Sequence, residues 1–200
     1  RQITFLRKTA LKEAGFKNIF YQKGYEADDI IASVCRSIST KHDKIIIVSA
    51  DKDLYQLLNK NVRIYNPHQK KTTTYESFVK EWGVEPEAWI DIEAMSGGHN
   101  DLQGIKGIGP ITAAKFLRGV LEEDSRLFQQ VVSGNAIWNR NRPLIKLPYP
   151  GVKEFITYDD NVTSEKWKRL ANSLGMKSLT GVLPSEVTRK RTTKKYKVFL

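Results

Sequence analysis

The residues of this chain best suited to chemistry are carboxylates in two tight groups. Glu26, Asp28 and Asp29 fall within four positions, and Asp51 and Asp53 flank Lys52. Asp51 comes just after Lys44–Ser49, a continuous apolar run with polar flanks, the pattern of a strand buried on both faces of a parallel sheet. In open α/β sheets, ligands bind beyond the carboxyl ends of the strands. If the two turns are neighbours, five carboxylates crowd one sheet edge in a chain whose net charge is +11. Charges so placed repel strongly in a partly desolvated cleft, and a divalent cation relieves the repulsion. Oxygen-only ligands select a hard ion such as Mg²⁺ or Mn²⁺. An ordinary account of each group also stands, because carboxylates near a helix N-terminus are favourable through the helix dipole alone. No Cys/His spacing suggests zinc: His42, His68 and His99 are scattered, and the first two fall in expected turns as surface residues.

A second stretch, Ser96–Lys115, has a different chemistry. Gly104, Gly107 and Gly109 punctuate a hairpin that runs into a helix start at Pro110. Proline loses nothing in the first helical turn, where its missing N–H would be unpaired anyway. Glycines let the backbone turn tightly and approach another molecule. The N–H groups at the helix start then attract anions, and in a basic chain the obvious anion is a phosphate. A plain Gly-rich turn between two helices is the other reading of the same residues.

These groups need elements to hold them. Ile3, Leu6, Ala10, Leu11 and Ala14 recur at helical spacing up to Gly15. Lys17–Gln22 reads as a short strand, Glu26–Lys41 as a helix, Lys44–Ser49 as a strand and Asp53–Leu58 as a short helix. Asn61–Tyr65 and Lys71–Tyr75 read as a β-hairpin. Helices follow at Tyr75–Trp82, Pro86–Met95, Ile111–Val120, Ser125–Val132, Ile137–Ile145 and Ser164–Leu174. The expected fold is α/β, with a mostly parallel central sheet flanked by helices and a C-terminal helical part carrying a helix–hairpin–helix-type element. The expected divisions are the C-terminal portion of an α/β core with its acidic site over 1–95, a helical part over 96–184 and a basic tail over 185–200. The last twelve residues carry Arg189, Lys190, Arg191, Lys194, Lys195 and Lys197.

Composition narrows the function class. The chain has 200 residues, 33 Lys and Arg against 22 Asp and Glu, and 40% hydrophobic residues. That length and apolar content build a core, and the charge favours a polyanion, with nucleic acid ahead of a membrane surface. The single cysteine, Cys35, falls on an apolar helical face and suits a reducing compartment. No apolar run reaches the length of a membrane span. The chain starts without Met, in a segment that reads as a helix already under way, and the expectation is that further residues precede it.

Three segments together resemble the 5′-nuclease superfamily: Glu26–Ile31 (EADDII), Val48–Leu57 (VSADKDLYQL) and Gly104–Ala113 (GIKGIGPITA). They occur in the order and spacing of the 5′→3′ exonuclease domain of bacterial DNA polymerase I and of phage flap endonucleases. Asn141–Ile145 and Leu174–Leu179 add weaker likenesses, so the resemblance covers roughly residues 1–180. Any one of these segments alone would be a weak signal.

The resemblance implies cleavage of branched or 5′-ended DNA with two divalent metals, in replication and repair. Glu26, Asp28, Asp29 and Asp51 match the family's first metal cluster, and Asp53 a ligand of the second. The glycine hairpin matches an element that grips the duplex backbone, often with K⁺. That match assigns Gly104, Lys106, Gly107, Gly109, Thr112 and Lys115 to DNA binding, through contacts that position DNA without reading its sequence. It further implies a monomer in bacterial or phage-infected cytoplasm, with a DNA polymerase or single-strand-binding protein as partner. RNA-directed members make RNA the alternative substrate.

Two departures from the family pattern matter. The family's N-terminal strand with its metal-binding Asp, and the arch that threads a 5′ end, have no match. Before the glycine hairpin, the usual Gly-Asp-x-x-Asp-Asn-Ile-x-Gly reads Gly97-Gly98-His99-Asn100-Asp101-Leu102-Gln103-Gly104. With one residue deleted, Gly98 takes the first Asp position and Asp101 the second. Without the deletion, Gly97 and Asn100 take them. On either alignment the first carboxylate is missing, which implies a weakened second metal site. A binding protein that does not cleave, built on the same scaffold, is the alternative function.

Overall fold

The computed structural model describes residues 2–39, 44–98, 102–180 and 197–199. In chain order the helices are α1 (Gln2–Phe5), α2 (Leu11–Glu13), α3 (Ala27–Ser39), α4 (Tyr75–Trp82), α5 (Trp89–Ser96), α6 (Pro110–Leu117), α7 (Arg126–Ser133), α8 (Asn135–Ile145) and α9 (Ser164–Ser173). The strands are β1 (Ile45–Val48), β2 (Val62–Asn66), β3 (Lys71–Thr73) and β4 (Lys197–Phe199). A π-helical turn, Leu6–Ala10, joins α1 to α2, and 3₁₀ turns cover Asp53–Leu57 and Pro86–Ala88.

The chain forms two compact units, 1–23 with 155–195, and 24–154 with 196–200. The break expected near residue 95 falls inside the second unit, which holds both candidate sites.

In the first unit, Ala10, Ala14 and Leu170 form a small buried cluster against Phe16 and Trp167. Lys17–Gln22 was expected to be a strand and forms none. Bonds that involve side chains stand in place of a ladder. The Lys17 N–H donates to Asp160 Oδ1 at 2.7 Å, and Asn18 both accepts from the Tyr158 N–H (2.8 Å) and donates to its carbonyl (2.7 Å).

The second unit is built on a sheet in the order β3-β2-β1-β4. β1 runs parallel to β2 and β4, and β2 runs antiparallel to β3, so the small sheet is mixed, with two of its three pairings parallel. The expected hairpin is present, with Ile64 opposite Thr73. Three residues of the expected basic tail, Lys197–Phe199, supply β4. Ile45 and Ile47 of β1 are buried, as are Val62 and Ile64 of β2, in the alternation that the pleat imposes. Thr74 caps α4, accepting from the Ser77 N–H while Ser77 Oγ accepts from the Thr74 N–H, a reciprocal pair that satisfies two otherwise orphaned donors. Tyr55, Phe78, Trp82 and Trp89 pack edge to face or tilted, with centroids between 4.9 Å (Trp82–Trp89) and 6.4 Å (Phe78–Trp82).

Helix α5 is central to this unit. Trp89, Ile90, Ile92, Ala94 and Met95 are buried, which covers most of its circumference. It packs against α6 and α8. Among the described residues no helix is long and apolar enough to cross a membrane.

Candidate functional site

The start of α3 fixes the first acidic group. Asp29 is at the third helical position, and its Oδ2 accepts from the Glu26 N–H at 3.2 Å, which is half of a capping box. Its Oδ1 accepts from the Tyr149 N–H at 2.7 Å. Asp29 is 7% exposed, and each of its oxygens takes a backbone donor, so it braces the helix start against the 147–150 segment. Ser33 and Tyr25 strengthen the same brace by donating to the carbonyls of Lys153 and Pro150.

The second acidic group follows β1. Asp51 Oδ1 accepts from the Asp53 N–H at 2.9 Å, and Ser49 Oγ accepts from the Asp51 N–H at 3.1 Å. These local bonds turn the chain from strand into 3₁₀ helix and leave Asp53 half-buried in its first turn.

The two turns meet in one cleft of about 380 Å³. Its walls include Glu26, Asp28, Asp29, Asp53, Glu93 and Gly98, with apolar Leu102, Leu144 and Ile145. Of the expected metal-binding residues, Glu26, Asp28, Asp29 and Asp53 line this cleft. Asp51 does not line it, but its charge is felt there. Asp101 lies outside the described residues, as do His42 and His99.

Crowding shifts two of these groups. Burial first, then the charges of Asp51, Asp53, Glu26 and Asp29, push the Asp28 carboxyl up to about 6. Burial, then Asp53, pushes Glu93 up to about 7, with Lys52 opposing and Asp51 adding. Both directions follow from the cost of holding like charges in a poorly solvated place. As they stand, no three acidic, histidine or cysteine side chains among the described residues converge closely enough to cage a metal ion.

Glu93 was not foreseen among the site residues. The signal was in the sequence: Glu93 is one of two charged residues, with Asp91, inside the apolar run Trp89–Met95. Two further positions were missed. Asn141, fully buried, donates to the carbonyls of Ala94 and Gln103 at 3.0 Å each. It thereby ties the end of α5 to the loop before the glycine hairpin. Gly134 makes room for Ile105, since a Cβ on Gly134 would lie 2.7 Å from that side chain.

The glycine stretch forms a compact turn between α5 and α6. The Ile105 N–H donates to the Met95 carbonyl at 2.8 Å, and the Ile108 N–H to the Ile105 carbonyl at 3.0 Å. Ile105 and Ile108 are buried, while Lys106, Gly107 and Gly109 are exposed. The turn is thus pinned by two apolar side chains and offers backbone and a lysine to solvent. Gly109 caps α6, Pro110 opens it, Thr112 is half-buried in the first turn and Lys115 is exposed. The N–H groups of such a first turn have no intrahelical acceptor.

Comparison with known proteins points one way. Residues 1–83 match the family described as 5′-3′ exonuclease, N-terminal resolvase-like domain. The chain is 33% identical over 183 residues to a 5′-3′ exonuclease of Aquifex aeolicus, covering 86% of this chain and 63% of that protein. It is 42% identical over 106 residues to DNA polymerase I of Rhizobium leguminosarum, covering 52% of this chain and 10% of the polymerase. The chain therefore spans less than two thirds of each of these relatives. Among solved structures, a bacteriophage T5 flap endonuclease in a complex with DNA and metal ions shares the fold, with a TM-score of 0.57 and 22% identity. That match covers 64% of this chain and 52% of that one.

Proposed function

We propose that this chain, which belongs to the 5′-nuclease superfamily, is a structure-specific nuclease that hydrolyses DNA phosphodiesters at 5′ flaps or 5′ ends with divalent cations. The observation that carries this is the meeting of Glu26, Asp28, Asp53 and Glu93 in one cleft of a chain with net charge +11.

The donor set fits a hard cation in kind, since the cleft's carboxylates offer only oxygen. Mg²⁺ keeps several waters and needs a few carboxylates rather than an all-protein cage. Divalent cations bound there would supply an activated water as nucleophile and positive charge for the leaving oxyanion. In this reading Glu26 and Asp28 hold the first cation from the wall of the cleft and Asp51 contributes its charge from beside it, with Asp29 bracing the start of α3 through its bonds to Glu26 and Tyr149. Asp53 and Asp101 belong to the second. Leu102 and Ile145 form part of the apolar wall beside the carboxylates.

The turn between α5 and α6 is the proposed duplex anchor. Gly104, Gly107 and Gly109 let its backbone come close to a phosphate, with a monovalent cation such as K⁺ as part of the same grip. Lys106 and Lys115 add charge, and the first turn of α6 at Thr112 offers its N–H groups. A DNA polymerase or single-strand-binding protein is the proposed partner, in the cytoplasm.

Gly98 favours a second reading, a protein that binds branched DNA without cutting it. The test is a 5′-flap duplex incubated in Mg²⁺ or Mn²⁺, with EDTA and an all-RNA flap as controls. A nuclease releases the flap only with the metal present, and a binding module shifts the duplex in a gel without cutting it.

A further inference from the structure

We propose that Glu93 supplies the carboxylate that the chain lacks at Gly98, so that the second divalent cation is held from helix α5 rather than from the loop after it. This rests on the nuclease reading above.

The geometry begins at Gly98. A Cβ built there would lie 3.3 Å from Glu93 Oε2, and among the described residues no other atom comes so near. The Glu93 carboxylate therefore fills the space into which a side chain from position 98 would project. Gly98, Glu93 and Asp53 line the same cleft.

Burial adds a second, independent reason. Glu93 is 7% exposed. Among the described residues its carboxylate makes no hydrogen bond and no ion pair, with Lys52 or any other cation. Asp91, on the same helix, shows what a structural carboxylate looks like here. Its Oδ1 accepts from Trp138 Nε1 at 2.8 Å and from Arg142 Nε at 2.6 Å. An isolated carboxylate removed from water is strongly destabilising unless something compensates it. Every other residue of α5 that is buried is apolar, so Glu93 contributes nothing to that core that Leu or Met would not do better. A hard cation compensates the charge and uses it.

Two features of the local chain make the exchange of positions possible. Gly98 carries no side chain to compete for the space. The helix ends at Gly97, so Glu93 stands one turn back from the loop, with its oxygen reaching forward to the same point.

The experiment is Mn²⁺ binding to the full chain, by calorimetry and by the electron paramagnetic resonance of free Mn²⁺. The variants are Glu93→Gln, Asp28→Asn, Gly98→Asp and the Glu93→Gln/Gly98→Asp pair. Two classes of Mn²⁺ are expected for the parent chain. Glu93→Gln weakens one class at least tenfold, and Asp28→Asn the other. Adding Gly98→Asp to Glu93→Gln restores the lost class, while Gly98→Asp alone adds no further ion. Mn²⁺ binding by Glu93→Gln equal to the parent, with one class still lost in Asp28→Asn, overturns the proposal and leaves the nuclease reading intact. A new ion in Gly98→Asp alone also overturns it, and does so whether or not Glu93→Gln folds. A parent chain that binds no Mn²⁺ at millimolar concentration overturns both readings together.

Discussion

Gly97 and Gly104 lie back to back. A Cβ on Gly97 would come within 2.7 Å of the backbone nitrogen of Gly104, and a Cβ on Gly104 would run into the backbone of Gly97 and Ser96. Gly97 also has φ +79°, in the left-handed region that favours glycine. The crossing brings the end of α5, which carries Glu93, against the start of the hairpin, which carries Lys106. It couples the acidic cleft to the proposed duplex anchor through backbone alone.

Gly104→Ala should therefore destabilise the fold by roughly 2–4 kcal/mol, because backbone and not a flexible side chain must move. Gly109→Ala, whose Cβ meets nothing within 4 Å, should cost less than about 1 kcal/mol. Urea unfolding of the two variants beside the parent distinguishes them, and equal losses would mean that the crossing is loose.

Asn141→Ala removes the bond to the buried Ala94 carbonyl and one of the two bonds to the Gln103 carbonyl, which keeps only the 3.3 Å bond from Arg140. A loss of roughly 2–3 kcal/mol is expected. Hydrogen exchange should accelerate at the Ile105 amide, which depends on the same loop. Exchange there at the parent rate would show that Asn141 does not hold the loop.

The raised carboxyls make stability depend on pH in the direction opposite to a salt-bridged acid. Asp28 near 6 and Glu93 near 7 hold their protons in the folded state where the unfolded chain has lost them. The folded state binds more protons between about pH 4 and 7, so these groups make stability fall as pH rises through that window. In EDTA, Glu93→Gln should match the parent near pH 5 and exceed it at pH 8 by roughly 1–3 kcal/mol. Thermal unfolding at the two pH values checks the crossing, and a Gln variant that is less stable at pH 8 contradicts it. The sign has a functional counterpart, since cations compete with those protons and should stabilise the chain more at pH 8 than at pH 5.

Lys106→Ala and Lys115→Ala should each weaken flap binding about equally across sequences. Each should also lower the slope of log affinity against log salt by roughly one. Fluorescence anisotropy on two unrelated flap sequences at several salt concentrations measures both. A loss confined to one sequence would point to base contacts instead.

Much of this architecture was legible from the chain. The apolar run before Asp51 announced β1, and the glycine spacing announced the turn between α5 and α6. The periodic helices fell within a few residues of their places. What was hidden depended on distant partners. Lys17–Gln22 has strand-like residues, but its Lys17 N–H bonds to the Asp160 side chain and its Asn18 side chain to the Tyr158 backbone, which no local pattern reports. Lys197–Phe199 looked like part of a basic tail, because pairing with β1 is a contact across most of the chain. The bond from the Tyr149 amide to Asp29, 120 positions away, was equally out of reach of any local pattern. Glu93 was visible as a charge in an apolar helix, yet its meaning came only from its distance to Gly98.

The most direct test of the account is single-turnover cleavage of a 5′-flap duplex in Mg²⁺ or Mn²⁺ by the parent chain and by Asp28→Asn. The account predicts flap release by the parent that EDTA abolishes. It predicts a fall of about a hundredfold or more in the cleavage rate for Asp28→Asn, with the affinity for the flap in EDTA little changed. A parent chain that binds the flap and leaves it uncut in both metals, or an Asp28→Asn variant that cuts at the parent rate, would contradict it.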